Sequence, residues 1–262
     1  MPSSCAFGSL SVEVAGETDR GLRRAFNADA YVIGGWGGLP RWCLLAAGVF
    51  DGVGTGKRSA EASALAAKCF QEGMVSASWE FSKDASIEFV RNLHQRLQAG
   101  GSRPFGRSGL ATTAAIAFLV RSDPPQMAIV SVGDSQAFVV RDELIERLVP
   151  VDTVAAGLLD AGQITAGQAE VHPRRHVLTQ ALGCEGSIAP HVRVRSVRAG
   201  DRFLLCTDGI TNSLSLEQIG AIMAGAAARD TCRKLIEAAN DARGYDNSTA
   251  VVLHFRNEPH MG

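Results

Sequence analysis

Four aspartates stand where strand-like runs end or begin. Leu44 to Phe50 is an unbroken apolar run, short enough for a buried strand, and it stops on Asp51, with glycines at 52, 54 and 56. Met127 to Val132 is followed by Gly133-Asp134-Ser135, and Asp201 to Thr207 by Asp208-Gly209. Asp246-Asn247 precedes the last such run, Ser248 to Phe255. A rigid scaffold can make strand ends converge, and converging carboxylates repel one another unless a hard divalent cation neutralises them. The pattern therefore implies Mg²⁺ or Mn²⁺. Oxygen ligation of two such ions, about 3.5–4 Å apart, is the arrangement that activates a water for in-line attack on phosphorus. An arginine gripping the phosphate would complete it. Taken alone, Asp51 could equally cap a helix starting near Ser59; the recurrence of the construction favours a site.

Other chemistries fit poorly. Asp51 to Arg58 misses the phosphate-loop pattern, which needs glycine at 51 and serine or threonine at 58. Gly133-Asp134-Ser135-Gln136-Ala137 misses the last glycine of a nucleophile elbow. His172 and His176 are four apart, but Pro173 lies between them and no zinc partners are evident.

The elements that must position the carboxylates fall into blocks. Ser9 to Val14 alternates as a half-exposed strand; Thr18 to Asp29, with three arginines, reads on its own as a solvated loop; Ala30 to Ile33 resumes the strands. Trp36 to Pro40 reads as a glycine-rich turn. Ser59 to Val75 and Asp84 to Ala99 have helical spacing, the second with Ile87, Val90, Leu93 and Leu97 on one stripe and His94 at its edge with no special role. A glycine- and arginine-bearing loop, Gly100 to Gly109, follows. Leu110 to Val149 reads as an antiparallel meander with a reversal at Asp142-Glu143. Short helices near Leu158 and over Thr165 to Glu170 precede strands at Val192 to Val197 and Asp201 to Thr207, then helices over Ser215 to Ala227 and Arg229 to Arg243. Segregated strands and helices argue an α+β fold: two antiparallel sheets in a central sandwich, flanked by helix pairs in an α-β-β-α order of layers.

The chain has 262 residues, a net charge of −1 and no linker-like stretch, which suits one large domain and gives no general attraction to nucleic acid or an anionic membrane. Arg174-Arg175-His176 and Arg193, Arg195 and Arg198 lack interleaved aromatics and read as solvated faces. Six cysteines without a C-x-x-C pair, several inside apolar runs, fit a reduced cytoplasmic protein. Met1 to Leu10 lacks a signal-peptide layout, and no apolar stretch approaches the roughly 20 residues that span a bilayer.

Asp19-Arg20-Gly21 with Arg24 and Asn27-Ala28-Asp29, Gly48 to Gly54, Ala111-Thr112-Thr113, Val132 to Ser135, His172-Pro173, Leu178 to Gly183, Asp208-Gly209 and Tyr245 to Thr249 occur in the order seen in metal-dependent protein phosphatases. The chain resembles the bacterial branch of this PPM, or type 2C, Ser/Thr phosphatase family from about Val14 to Phe255. The resemblance implies a phosphatase domain over 1–262, with a core at about 9–256 and a flap-like segment at about 151–183. Asp51 would bridge two Mn²⁺ or Mg²⁺ ions, the Gly52 carbonyl would join the second, and Asp208 and Asp246 would complete the first. Asp134 would belong to a third position, Asp29 would act on the cluster through water, and Arg24 would hold the substrate phosphate. A monomer acting on phosphorylated proteins, opposite a Ser/Thr kinase, is the implied setting.

Three departures modify this. Ala28 replaces a glutamate ligand, which weakens the second ion's site; Asn212 replaces an aspartate, so the third ion is bound loosely or not at all. Val53 stands where many relatives carry a histidine, so that a metal-activated water would have to protonate the leaving alkoxide. The rival expectation is a pseudophosphatase that keeps the fold as a binding or regulatory module.

Overall fold

The structure, a computed structural model, describes residues 3–7, 9–35, 38–54, 56–100, 109–225, 227–242 and 244–258. The loop expected at Gly100 to Gly109 lies mostly outside these, as do Trp36 and Gly37 of the expected turn and Arg243 of the last expected helix.

The chain begins with strands β1 (Ser3–Phe7), β2 (Leu10–Asp19), β3 (Asp29–Gly35) and β4 (Cys43–Asp51), followed by helices α1 (Lys57–Val75) and α2 (Lys83–Gly100). Strands β5 (Ala114–Val120), β6 (Gln126–Val132), β7 (Gln136–Arg141) and β8 (Leu144–Arg147) precede short helices α3 (Val154–Asp160) and α4 (Ala166–Glu170). The remainder is β9 (His191–Ser196), β10 (Arg202–Cys206), α5 (Asp208–Thr211), α6 (Leu216–Met223), α7 (Ala228–Ala242) and β11 (Ser248–Asn257).

Two sheets result, ordered β1-β2-β11-β10-β7-β8 and β3-β4-β5-β6-β9, antiparallel throughout. Side chains alternate across a strand, yet both faces here are covered, so the central strands read as unbroken apolar runs. In β4, Leu45, Ala47 and Val49 meet Phe203 and Leu205 of β10 and Val251 and Leu253 of β11 between the sheets. Ala46 and Phe50 turn the other way, against Phe70 and Met74 of α1 and Leu93 of α2. Across the molecule, Phe138, Leu204 and Val252 pack on Ile219 of α6 and Leu235 and Ile236 of α7. This is the expected order of helix pair, sheet, sheet and helix pair. Among the described residues no helix is long and apolar enough to cross a membrane.

Two expectations fail in instructive ways. The strands over Leu110 to Val149 do not form one meander: β5 and β6 pair in the five-stranded sheet, while β7 and β8 pair in the six-stranded one. A period of two identifies strands but not their partners, and the chain changes sheets at Gly133-Asp134-Ser135. The first strand does not stop near Val14 either. Pairing with β11 in register from Leu10↔Asn257 to Asp19↔Ser248 carries β2 through its polar residues to Asp19.

Candidate metal centre

The change of sheets places the end of β4, the crossing after β6 and the end of β10 side by side. Asp51, Asp134 and Asp208 there each offer a carboxylate oxygen, all within 4.8 Å of one another. They line a cavity of about 800 Å³, together with Asp246, Gly52, Arg24 and others. The cap reading of Asp51 is excluded, because α1 starts after Gly56 without a side-chain cap.

Backbone hydrogen bonds hold each acid in place. Thr113 N and Thr112 Oγ1 both donate to Asp51 O, each at 2.8 Å, and Asp51 N donates to Thr113 Oγ1 at 3.2 Å. Thr113 Oγ1 also bonds Ser135 Oγ at 2.7 Å, tying the end of β4 to the crossing that carries Asp134. On the far side of that crossing Gly133 N donates to Asp152 Oδ2 at 2.7 Å, and His191 Nε2 meets Asp152 Oδ1 at 2.7 Å. Asp208 opens α5, a single helical turn absent from the sequence expectations. A Cβ at Gly209 would lie 1.9 Å from Asn247 O, so only glycine lets this turn approach the start of β11 and Asp246. Gly52 is held by its N–H, which donates to Ala28 O at 3.0 Å.

The other expected site residues surround this triad. Arg24 lines the cavity and donates to Asp246 Oδ2 at 2.6 Å, while Asp246 Oδ1 accepts from Asn247 N at 2.8 Å. Asp29, opposite Asp51 in the β3–β4 register, is buried and does not line the cavity. Its Oδ2 accepts from Thr207 Oγ1 and Thr249 Oγ1, both at 2.7 Å, and its Oδ1 has no partner among the described residues. Ala28 lines the cavity with only a methyl group, and Asn212 donates from Nδ2 to Asp208 Oδ2 at 2.8 Å.

Electrostatics show what the fold pays to gather these acids. Burial, then the charges of Asp29, Asp208 and Asp134, pushes the Asp51 carboxyl well above the usual range. Burial, then Asp208, pushes Asp134 up to about 7. Burial lifts Asp29 to about 7 against the hydrogen bonds from Thr249 and Thr207. Asp208 is raised by burial first and Asp246 second, and its buried Oδ1 finds no donor among the described residues. Unscreened oxygens with no donor suit a divalent cation, which offsets both the burial and the repulsion that lift these groups. The donor set therefore fits hard metal ions: Asp51, Asp134 and Asp208 could hold one directly, with Asp246 and the Gly52 carbonyl on the same cavity wall.

Several contributors escaped sequence reasoning. Asn247 is buried; its Nδ2 donates to Arg20 O at 2.8 Å and Phe26 O at 3.0 Å, and its Oδ1 accepts from Ala28 N at 2.8 Å. It thereby pins the ends of the loop bearing Arg24, whose residues 22–26 stay exposed as expected of a solvated loop. Its signal in sequence was adjacency to Asp246 and a place in the Tyr245 to Thr249 motif, neither of which reveals its bonds to the Arg24 loop. His94 is no stripe-edge residue: it is buried, Gly183 N donates to its Nδ1 at 3.0 Å, and its Nε2 bonds Gly186 O at 2.9 Å. Because Nδ1 accepts, Nε2 carries the proton, and α2 is fastened to the segment closing the flap-like stretch. Arg175 and His176 are exposed, as read from the sequence, and also line the cavity.

Sheets, flanking helices and an acidic cavity at the sheet ends define a metal-dependent phosphatase architecture. The chain belongs to the protein phosphatase 2C family, whose model matches residues 23–248. It is similar to the serine/threonine protein phosphatase PstP of Mycobacterium tuberculosis, 30% identical over 253 residues, which are 93% of this chain and 45% of that protein. The chain thus spans about half the length of that relative. In fold it is similar to the serine/threonine phosphatase of S. agalactiae, with a TM-score of 0.84 at 23% identity over 93% of this chain and 99% of that one. The catalytic domain of PstP, solved in complex with two manganese ions, superposes with a TM-score of 0.76 at 26% identity over 95% of this chain and 100% of that one.

Proposed function

We propose that this chain hydrolyses phosphoserine and phosphothreonine in proteins with the help of two Mn²⁺ or Mg²⁺ ions. The observation that carries the reading is the meeting of Asp51, Asp134 and Asp208 oxygens within 4.8 Å, in a cavity that Arg24 also lines. The likeness to PstP, and the manganese ions in the structure of its catalytic domain, support it. Asp51, Asp208 and Asp246 would hold the first ion, Asp51 and the Gly52 carbonyl the second, and Asp134 a third, with Asp29 acting from beneath through water. Such ions, when bound, supply an activated water and offset the phosphate's charge.

The chain's own residues do the rest. Arg24 spends one N–H on Asp246 and has others with which to grip phosphate oxygens, a planar fork that suits them. Asn247 holds the Arg24 loop against the start of β11, so that the phosphate is oriented toward the acids. Ala28 leaves the second ion one carboxylate short, and Asn212 brings no charge to the third, so both bind more weakly than the first.

The same reading extends to setting. Residues from about 9 to 256 form one catalytic domain, in which 151–183 act as a flap beside the cavity. The substrates are products of a Ser/Thr kinase, and the protein works as a cytoplasmic monomer in signalling. Free buried thiols at Cys43, Cys69, Cys206 and Cys232 suit a reducing compartment.

The test is hydrolysis of a phosphothreonine peptide across a Mn²⁺ titration, with Asp208→Asn as control. Metal-dependent turnover that the substitution lowers by about 10³-fold is expected. No turnover at any Mn²⁺ concentration would overturn the reading and leave a binding module.

A further inference from the structure

We propose that His176 is the catalytic residue that protonates the leaving serine or threonine oxygen; the proposal rests on the phosphatase reading above. An alkoxide is a poor leaving group, and its departure is eased by a proton delivered as the bond to phosphorus breaks. The cavity offers few donors. Its aspartates are the charge that gathers cations, and Arg23, Arg24 and Arg175 hold their protons too tightly to give them up. Tyr245 meets Arg23 through its ring face, with Cζ 5.7 Å from the ring centroid, and a phenol gives up its proton less readily than an imidazolium near neutral pH. Among the described lining residues His176 is the one imidazole, the side-chain type that exchanges protons most readily near neutral pH.

Its placement suits the task. His176 and Val53 line both the main cavity and an adjoining pocket of about 310 Å³, so His176 is a neighbour of the loop that follows Asp51, where Val53 itself offers no proton. The turn that carries it is shaped by Arg175 N donating to His172 O at 3.1 Å and Val177 N to Arg174 O at 3.2 Å. Val154 N donates to Val177 O at 2.9 Å, anchoring the turn to the start of α3 while His176 stays exposed. His176, far along the chain from Val53, offers a side-chain source for the proton that would otherwise have to come from a metal-activated water.

In the step, the bond between phosphorus and the serine oxygen breaks with its electron pair remaining on that oxygen, and His176 gives the oxygen its proton. The attacking water forms the new bond to phosphorus and loses a proton to solvent, from which His176 is reprotonated. The products are the free hydroxyl side chain and inorganic phosphate.

The experiment compares His176→Asn with the parent, full chain and Mn²⁺ present, on a phosphothreonine peptide and on p-nitrophenyl phosphate. The aryl ester leaves as a stabilised anion and needs no proton. Expected is a loss of about 10²-fold in kcat on the phosphopeptide and little change on the aryl ester. Mn²⁺ binding by calorimetry and the thermal midpoint, read without substrate, should match the parent. Equal losses on both esters, or no loss on either, overturn the proposal. A parent that hydrolyses neither ester overturns the phosphatase reading and this proposal with it.

Discussion

The cavity has two unlike walls. Its floor is built from strand ends: Asp51 is pinned by Thr112 and Thr113, Asp134 sits in a crossing pinned by Asp152 and Thr113, and Asp208 opens a turn wedged against β11. Its rim is built from loops, where Leu22 and Phe26 are 70% and 45% exposed and Arg24 is held by one ion pair and the Asn247 clamp. Floor positions are set by the register of two sheets and tolerate no drift; rim positions are set by a few local hydrogen bonds. The contrast teaches a division of labour. Acids that repel one another need an over-determined scaffold, whereas groups that meet a variable peptide can ride on adaptable segments.

Substitutions on the rim should break turnover without breaking the fold, unless they touch the clamp. The largest expected effect is Arg24→Ala, with a loss of about 10²-fold in kcat/KM on a phosphopeptide. The exposed Arg24–Asp246 pair contributes at most about 1 kcal/mol to stability, so calorimetry should show nearly the parent's thermal midpoint. Asn247→Ala should do the opposite. Two carbonyls and one N–H in a part-buried setting lose their partners, costing about 2 kcal/mol in a urea unfolding curve. If Asn247→Ala leaves stability intact, the clamp is not what shapes the rim. The smallest effect is Ala28→Glu, which adds a carboxylate to the cavity and should lower the Mn²⁺ concentration at half-maximal turnover by about tenfold, or 1.4 kcal/mol. An unchanged midpoint would remove position 28 from the second ion's surroundings.

Much of the floor was readable in one dimension. A buried strand that stops on an acid, as at Phe50-Asp51, carries its own signal, because an apolar run and an abrupt carboxylate are local features. The helices over 57–75 and 83–100 were legible for the same reason, their stripes repeating every three or four residues. His94 was misread because its bonds to Gly183 and Gly186 join positions about ninety residues apart, and a polar residue beside an apolar stripe looks the same with or without such partners. Asn247 and Asp152 were overlooked for a related reason: their work is done on backbone groups of distant loops.

From composition, periodicity and the order of its motifs, the chain by itself determined the α+β class, the two helix pairs, the acids at strand ends and the family resemblance. Only the tertiary structure decided which strands pair, where the chain changes sheets, that Asp134 joins Asp51 and Asp208, and that Arg24 and His176 share their cavity. The physical reason is range. Burial patterns are written along neighbouring residues, whereas sheet partners and cavity neighbours are chosen by packing among segments that no local spacing links.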